Sequence, residues 1–198
     1  MKSINEKSII TFSGGEPGLH PNLDIILAHA RGYCDVVKVV TNGTAFREKF
    51  DPYVDRWHLG VVGKNYDILK IPHEKLVVQL VVTKDIDKKE LKEIVGFYRY
   101  YGNFCIKLFA DFREKDRQDI YNKIEYVKKS YDVETRFTGK QVNRGKACEG
   151  CEKDCVTLKA LWYFPDGYSS TCPQGVGEIY DDDSWDETVE KAYSAHKI

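Results

Sequence analysis

Short apolar runs alternate with helical segments along the first two thirds of this chain, and that alternation limits what it can fold into. Residues 8–12 (SIITF), 34–40 (CDVVKVV), 57–62 (WHLGVV), 75–83 (KLVVQLVVT), 104–109 (FCIKLF) and 132–137 (DVETRF) have the length and β-branched content of strands. Residues 21–31, 45–54, 87–101 and 115–130 read as helical, with Pro21 ahead of the first and Asp85 or Asp87 as the cap of the third. Repeated β-α units with near-continuous apolar strands imply an α/β fold, a parallel sheet covered by helices. Five or six units, short of eight, predict a partial (β/α) barrel or an open sheet with right-handed connections. Ligands bind such sheets beyond the carboxyl ends of the strands. The glycine-rich segments 13–18 and 41–44 fall at those ends.

Composition removes several classes of function. The chain has 198 residues, enough for one domain with a small appendix, and 42% hydrophobic content supports a sizeable core. A net charge of −1 from 30 basic and 31 acidic side chains gives no footing for nucleic acid or an anionic membrane as partner. No apolar run approaches the roughly 20 residues of a membrane span, and MKSINEKSIITF has no apolar signal core. A cytoplasmic location is expected. Without a GxSxG elbow, an HExxH helix or a Walker loop, hydrolase and NTPase chemistry has no support.

After about residue 138 the pattern changes, which predicts two parts, 1–138 and 139–198. Residues 139–155 are polar and Cys-rich, 156–164 read as a strand, Pro165-Asp166-Gly167 as a turn, and 168–172 as the return of a hairpin. The tail carries the solvated acidic run Asp181-Asp182-Asp183, then a helix over 185–196 capped by Ser184 with Glu187. Cys148, Cys151 and Cys155 sit on a tight loop, and the hairpin returns Cys172. In a cytosolic chain such clustering favours a metal over disulfides, and both tetrahedral zinc and a 4Fe-4S cluster take four cysteines. Cys34 and Cys105 read as small apolar packing residues. His58 and His73 are isolated, and His20 lies just past the first glycine-rich turn.

That turn, Ser13-Gly14-Gly15-Glu16-Pro17-Gly18, cannot be helical. Two glycines permit positive φ and a close approach of backbone to ligand, and exposed carbonyls there can accept from an ammonium group. A plain strand-to-helix turn needs only one glycine. With Thr41-Asn42-Gly43 ending the next strand, the pattern closely resembles the radical S-adenosylmethionine (radical SAM) superfamily over most of residues 8–137. The resemblance implies SAM as cofactor, its methionyl amino group held by Gly14, Gly15 and Glu16, with Pro17, Thr41 and Asn42 completing the cofactor-binding set. The C-terminal cysteines look like the auxiliary-cluster extensions called SPASM or twitch domains, which leans the metal towards iron–sulfur. Such extensions often accompany modification of peptides, and small-molecule substrates are equally compatible.

One feature of the family does not occur in these residues. Radical SAM enzymes carry CxxxCxxC after their first strand, ahead of the GGEP turn. The 13 residues before Gly14 contain no cysteine, and the first β/α unit is not among them. Without that cluster no electron donor cleaves SAM. Three expectations stay open: a shortened start, a partner chain that supplies the missing strand and cluster, or a non-catalytic scaffold or subunit with a structural zinc or Fe-S site. A further reading is a zinc-stabilised α/β binding domain whose GGEP is accidental.

Overall fold

The structure, a computed structural model, describes residues 8–111 and 118–136 together with strand residues 162–163, 169–170 and 179–180. The chain divides into two compact units, Met1–Arg136 and Phe137–Ile198.

The first unit is built on six parallel strands in chain order: β1 (Ile9–Phe12), β2 (Val36–Thr41), β3 (Arg56–Val61), β4 (Leu76–Val82), β5 (Cys105–Ala110) and β6 (Glu134–Arg136). Every pairing is parallel and between sequence neighbours. The strand order never reverses, so this is the wall of a (β/α) barrel left open, as the alternation predicts. Helix α1 (Leu23–Tyr33) links β1 to β2, α2 (Lys88–Tyr101) links β4 to β5, and α3 (Gln118–Lys128) links β5 to β6. Residues 45–54 form no α-helix. A 3-10 turn, Glu48–Tyr53, replaces it and contains Pro52, which has no N–H to donate and disfavours a continued helix. Asp87, not Asp85, caps α2, its side chain accepting from the Glu90 N–H at 2.8 Å.

Strand side chains alternate between two faces. On one face, Val37, Val39, Leu59, Val78, Leu80, Ile106 and Leu108 join Leu27 of α1, Leu91, Val95 and Tyr98 of α2, and Ile120 and Ile124 of α3 in a single core. Each such fully buried aliphatic contributes about 1.5–3 kcal/mol. The second face is different. Lys38, His58, Gln79, Cys105 and Lys107 alternate with the core residues and are half-buried. That face is mixed, since Val36, Val40, Val77, Val81 and Phe109 share it with these polar groups.

In the second unit, β7 (Trp162–Tyr163), β8 (Ser169–Ser170) and β9 (Ile179–Tyr180) form an antiparallel sheet in that order. Trp162 pairs with Ser170 and Tyr163 with Ser169, the hairpin expected around Pro165-Asp166-Gly167. The third strand has no counterpart in the sequence reading. Asp181-Asp182-Asp183, the helix expected over 185–196 and the four clustered cysteines lie outside the described residues. Among the described residues no helix is long and apolar enough to cross a membrane.

Candidate functional site

Beyond Phe12 the chain passes through Gly14 at φ +95° and Gly15 at φ +53°, a region that residues with a Cβ rarely adopt. A Cβ built on either glycine meets nothing within 4 Å, so the space over the turn is open. Among the described residues no backbone N–H outside the regular elements bonds to the carbonyl of Gly14 or Gly15. Glu16 then caps the 3-10 turn Pro17–Leu19, with Pro17 at its first position and the Glu16 Oε1 accepting from the Gly18 N–H at 3.1 Å. Gly18 is buried, and the position demands glycine because a Cβ there would stand 2.5 Å from the Ala45 carbonyl oxygen.

The Glu16 carboxylate reaches across to the end of the neighbouring strand. The Thr41 hydroxyl donates to Oε1 at 2.7 Å, and the Asn42 N–H donates to Oε2 at 2.7 Å. Thr41 is the last residue of β2 and is buried, and its Oγ1 also accepts from the Gly43 N–H at 2.9 Å. Glu16 therefore takes three donors, two on Oε1 and one on Oε2. A carboxylate oxygen offers two acceptor sites, so one remains on Oε2. All six residues named from the sequence, Gly14, Gly15, Glu16, Pro17, Thr41 and Asn42, come together at the carboxyl ends of β1 and β2.

Asn42 is exposed, and its Oδ1 accepts from the N–H and hydroxyl of Thr44 at 2.9 and 2.6 Å. Its backbone carbonyl accepts from the Asn65 side-chain amide at 2.9 Å. Sequence reasoning missed Asn65. The available signal was the Asn65-Tyr66-Asp67 string, a side-chain cap opening a turn, and the Asn65 Oδ1 does accept from the Asp67 N–H at 2.9 Å. Gly43 has φ +88°, and a Cβ there would lie 2.8 Å from the Asp67 Cβ.

The histidines lie apart from this turn or serve it locally. His20 is exposed, and its Nδ1 accepts from the Asn22 N–H at 3.2 Å. His73 packs edge-on against Phe104 next to the amino end of β4, opposite to the carboxyl ends. The His58 Nδ1 lies 2.7 Å from the Gln79 amide nitrogen on the second sheet face. Cys105 is not the apolar filler expected of it. Strand alternation turns it to the same face, where its thiol donates to Glu134 Oε1 at 3.3 Å while the Lys107 Nζ lies 3.0 Å from Glu134 Oε2. Burial pushes the Cys105 thiol up, and the Glu134 carboxylate adds to that shift.

Cys148, Cys151, Cys155 and Cys172 lie outside the described residues. Among the described residues, no group of three or more His, Cys, Asp or Glu side chains is placed to hold a metal ion.

No protein-family profile and no curated protein sequence matches the chain. Solved structures do. The fold is similar to that of SuiB from Streptococcus suis. The likeness has a TM-score of 0.62 at 11% sequence identity and covers 91% of this chain and 55% of SuiB. SuiB bound to S-adenosylmethionine gives 0.62 at 12% identity over 88% of this chain and 52% of that one. SuiB bound to the precursor peptide SuiA gives 0.59 at 12% identity over 83% and 48%. The chain thus spans about half the length of SuiB, and what the two share is the fold. Function has to come from the site itself.

Proposed function

We propose that this chain is a radical SAM superfamily protein that binds S-adenosylmethionine through its methionyl amino group at the turn Gly14-Gly15-Glu16. The observation that carries this reading is the union of the two motifs. The glutamate of one bonds the hydroxyl and N–H of the other, at the carboxyl ends of adjacent parallel strands. SuiB, with a similar fold, has been solved with SAM bound.

The residues present suit that group. The Gly14 and Gly15 carbonyls accept from the ammonium, and the remaining site on Glu16 Oε2 takes a further N–H and offsets its charge. Pro17 stiffens the exit of the turn. Thr41 and the Asn42 N–H orient the carboxylate, and the exposed Asn42 forms the rim. SAM, when bound beside a reduced iron–sulfur cluster, supplies radical chemistry. No CxxxCxxC occurs in residues 1–198, so on this reading that cluster comes from outside them, in a preceding segment or a partner chain. Cys148, Cys151, Cys155 and Cys172 would hold a second, auxiliary 4Fe-4S cluster, with structural zinc as the competing occupant. A peptide is the substrate class favoured by the likeness to SuiB, which has been solved with a precursor peptide. The location proposed is cytoplasmic.

A second reading rests on the same carboxylate. Three protein donors already satisfy most of Glu16, as in a purely structural strap. A non-catalytic scaffold would keep that strap and bind no SAM.

Two measurements separate the readings. Anaerobic purification should yield about four iron and four sulfide per chain, whereas one zinc without sulfide would make the cysteine site structural. Calorimetric titration with SAM should show one binding site. No binding, even in a chain extended to include a CxxxCxxC segment, would overturn the SAM reading.

A further inference from the structure

We infer that Asn65 is a positioning residue for the Glu16 turn, held in register by the buried phenol of Tyr98; its relevance to ligand binding rests on the SAM reading above. Tyr98 belongs to α2 and is fully buried. Its hydroxyl donates to the Gly63 carbonyl at 2.5 Å and accepts from the Asn65 N–H at 3.0 Å. The backbone on both sides of Lys64 is thereby fastened to a core helix, which fixes where the Asn65 side chain begins.

The Asn65 amide then uses its two ends for different jobs. Oδ1 accepts from the Asp67 N–H at 2.9 Å, and Nδ2 donates to the Asn42 carbonyl at 2.9 Å. One partner is a donor and the other an acceptor, so only one orientation of the amide satisfies both. The Asn42 carbonyl and the Gly43 N–H belong to one peptide group. Asn65 holds its oxygen end, and Thr41 Oγ1 holds its N–H end. The same Thr41 hydroxyl donates to Glu16. Tyr98, Asn65, the 42–43 peptide, Thr41 and Glu16 thus form one hydrogen-bonded path in which each group orients the next. The path ends at the carboxylate with one acceptor site left.

Local capping alone would need only Oδ1. Asn65→Asp keeps that acceptor and removes the Nδ2 donor, and Asn65→Ser keeps a short cap that cannot reach Asn42. The test uses the full chain and two readouts: amide hydrogen exchange of the unliganded protein, resolved at Asn42 and Gly43, and calorimetric SAM affinity. Loss of the donor should speed exchange at these two amides about tenfold and weaken SAM binding about tenfold in both variants, with protection in α2 and β4 unchanged. Unchanged exchange at Asn42 and Gly43, or an equal rise across the whole sheet, would overturn the positioning role. A local rise with wild-type SAM affinity would overturn its relevance to the ligand. If the parent chain binds no SAM while exchange still rises locally, Asn65 positions the turn as inferred and the SAM reading is what fails.

Discussion

The Thr41 hydroxyl donates to Glu16 Oε1 at 2.7 Å across 25 residues of chain, and in doing so closes the carboxyl ends of β1 and β2 on each other. The carboxylate at the other end of this bond collects three donors. A glutamine at this position turns an NH2 towards at least one of them. Glu16→Gln should therefore cost about 1–3 kcal/mol of unfolding free energy. Thr41→Val should cost a similar amount, and combined with Glu16→Ala, which also removes the Thr41–Glu16 bond, it should cost less than the sum of the two single changes. Urea denaturation of the four proteins of that cycle measures the coupling, and strict additivity would mean that the bond contributes nothing.

Gly14 and Gly43 both have positive φ, but their surroundings differ. Alanine at position 14 meets open space, so Gly14→Ala should cost only about 1 kcal/mol in backbone strain and, on the SAM reading, should still weaken SAM binding by crowding the turn. Alanine at position 43 would also press 2.8 Å from the Asp67 Cβ. Gly43→Ala should destabilise by about 1–3 kcal/mol beyond the strain. Thermal unfolding of the two variants, with SAM calorimetry on the first, checks the contrast.

Burial raises the Tyr98 phenol to about 12. The folded state therefore holds this proton more tightly than the unfolded chain, whose tyrosines titrate near about 10. The resulting stability is complete below pH 10 and fades as pH rises towards 12. Over that window the wild type should lose roughly 2 kcal/mol that Tyr98→Phe does not lose, although the variant starts lower because the Gly63 carbonyl and Asn65 N–H lose their partner. Denaturant midpoints at pH 8 and pH 11 would show the two proteins converging, and parallel curves would contradict the assignment.

The Cys105 thiol, raised by burial and by Glu134, should alkylate at pH 8 more slowly than an unperturbed thiol. Glu134→Gln removes the negative charge 3.3 Å from Sγ and should speed the reaction severalfold. Peptide-resolved mass spectrometry after timed iodoacetamide treatment reads this directly. A slower reaction in the variant would mean that Glu134 acts on the thiol through packing and not through charge.

The amino-acid sequence makes the parallel α/β sheet legible, because its runs of Val, Ile and Leu at strand length, separated by helical spacing, admit few other folds. Through the resemblance to the radical SAM superfamily it also singles out Gly14, Gly15, Glu16, Pro17, Thr41 and Asn42, which the structure brings together at neighbouring strand ends. It could not say which side of a strand a residue faces, since that depends on register with neighbours far along the chain. His58 therefore reads as isolated and Cys105 as apolar packing until parallel pairing puts them on one face with Lys107. Tertiary structure alone decided that Glu16 is mostly satisfied by protein donors. It likewise decided that Asn65 and Tyr98, 23 and 56 residues beyond Asn42, belong to the same network. Hydrogen bonds between side chains and distant backbone leave no periodic trace in sequence, because they depend on where separate loops converge once the core has packed.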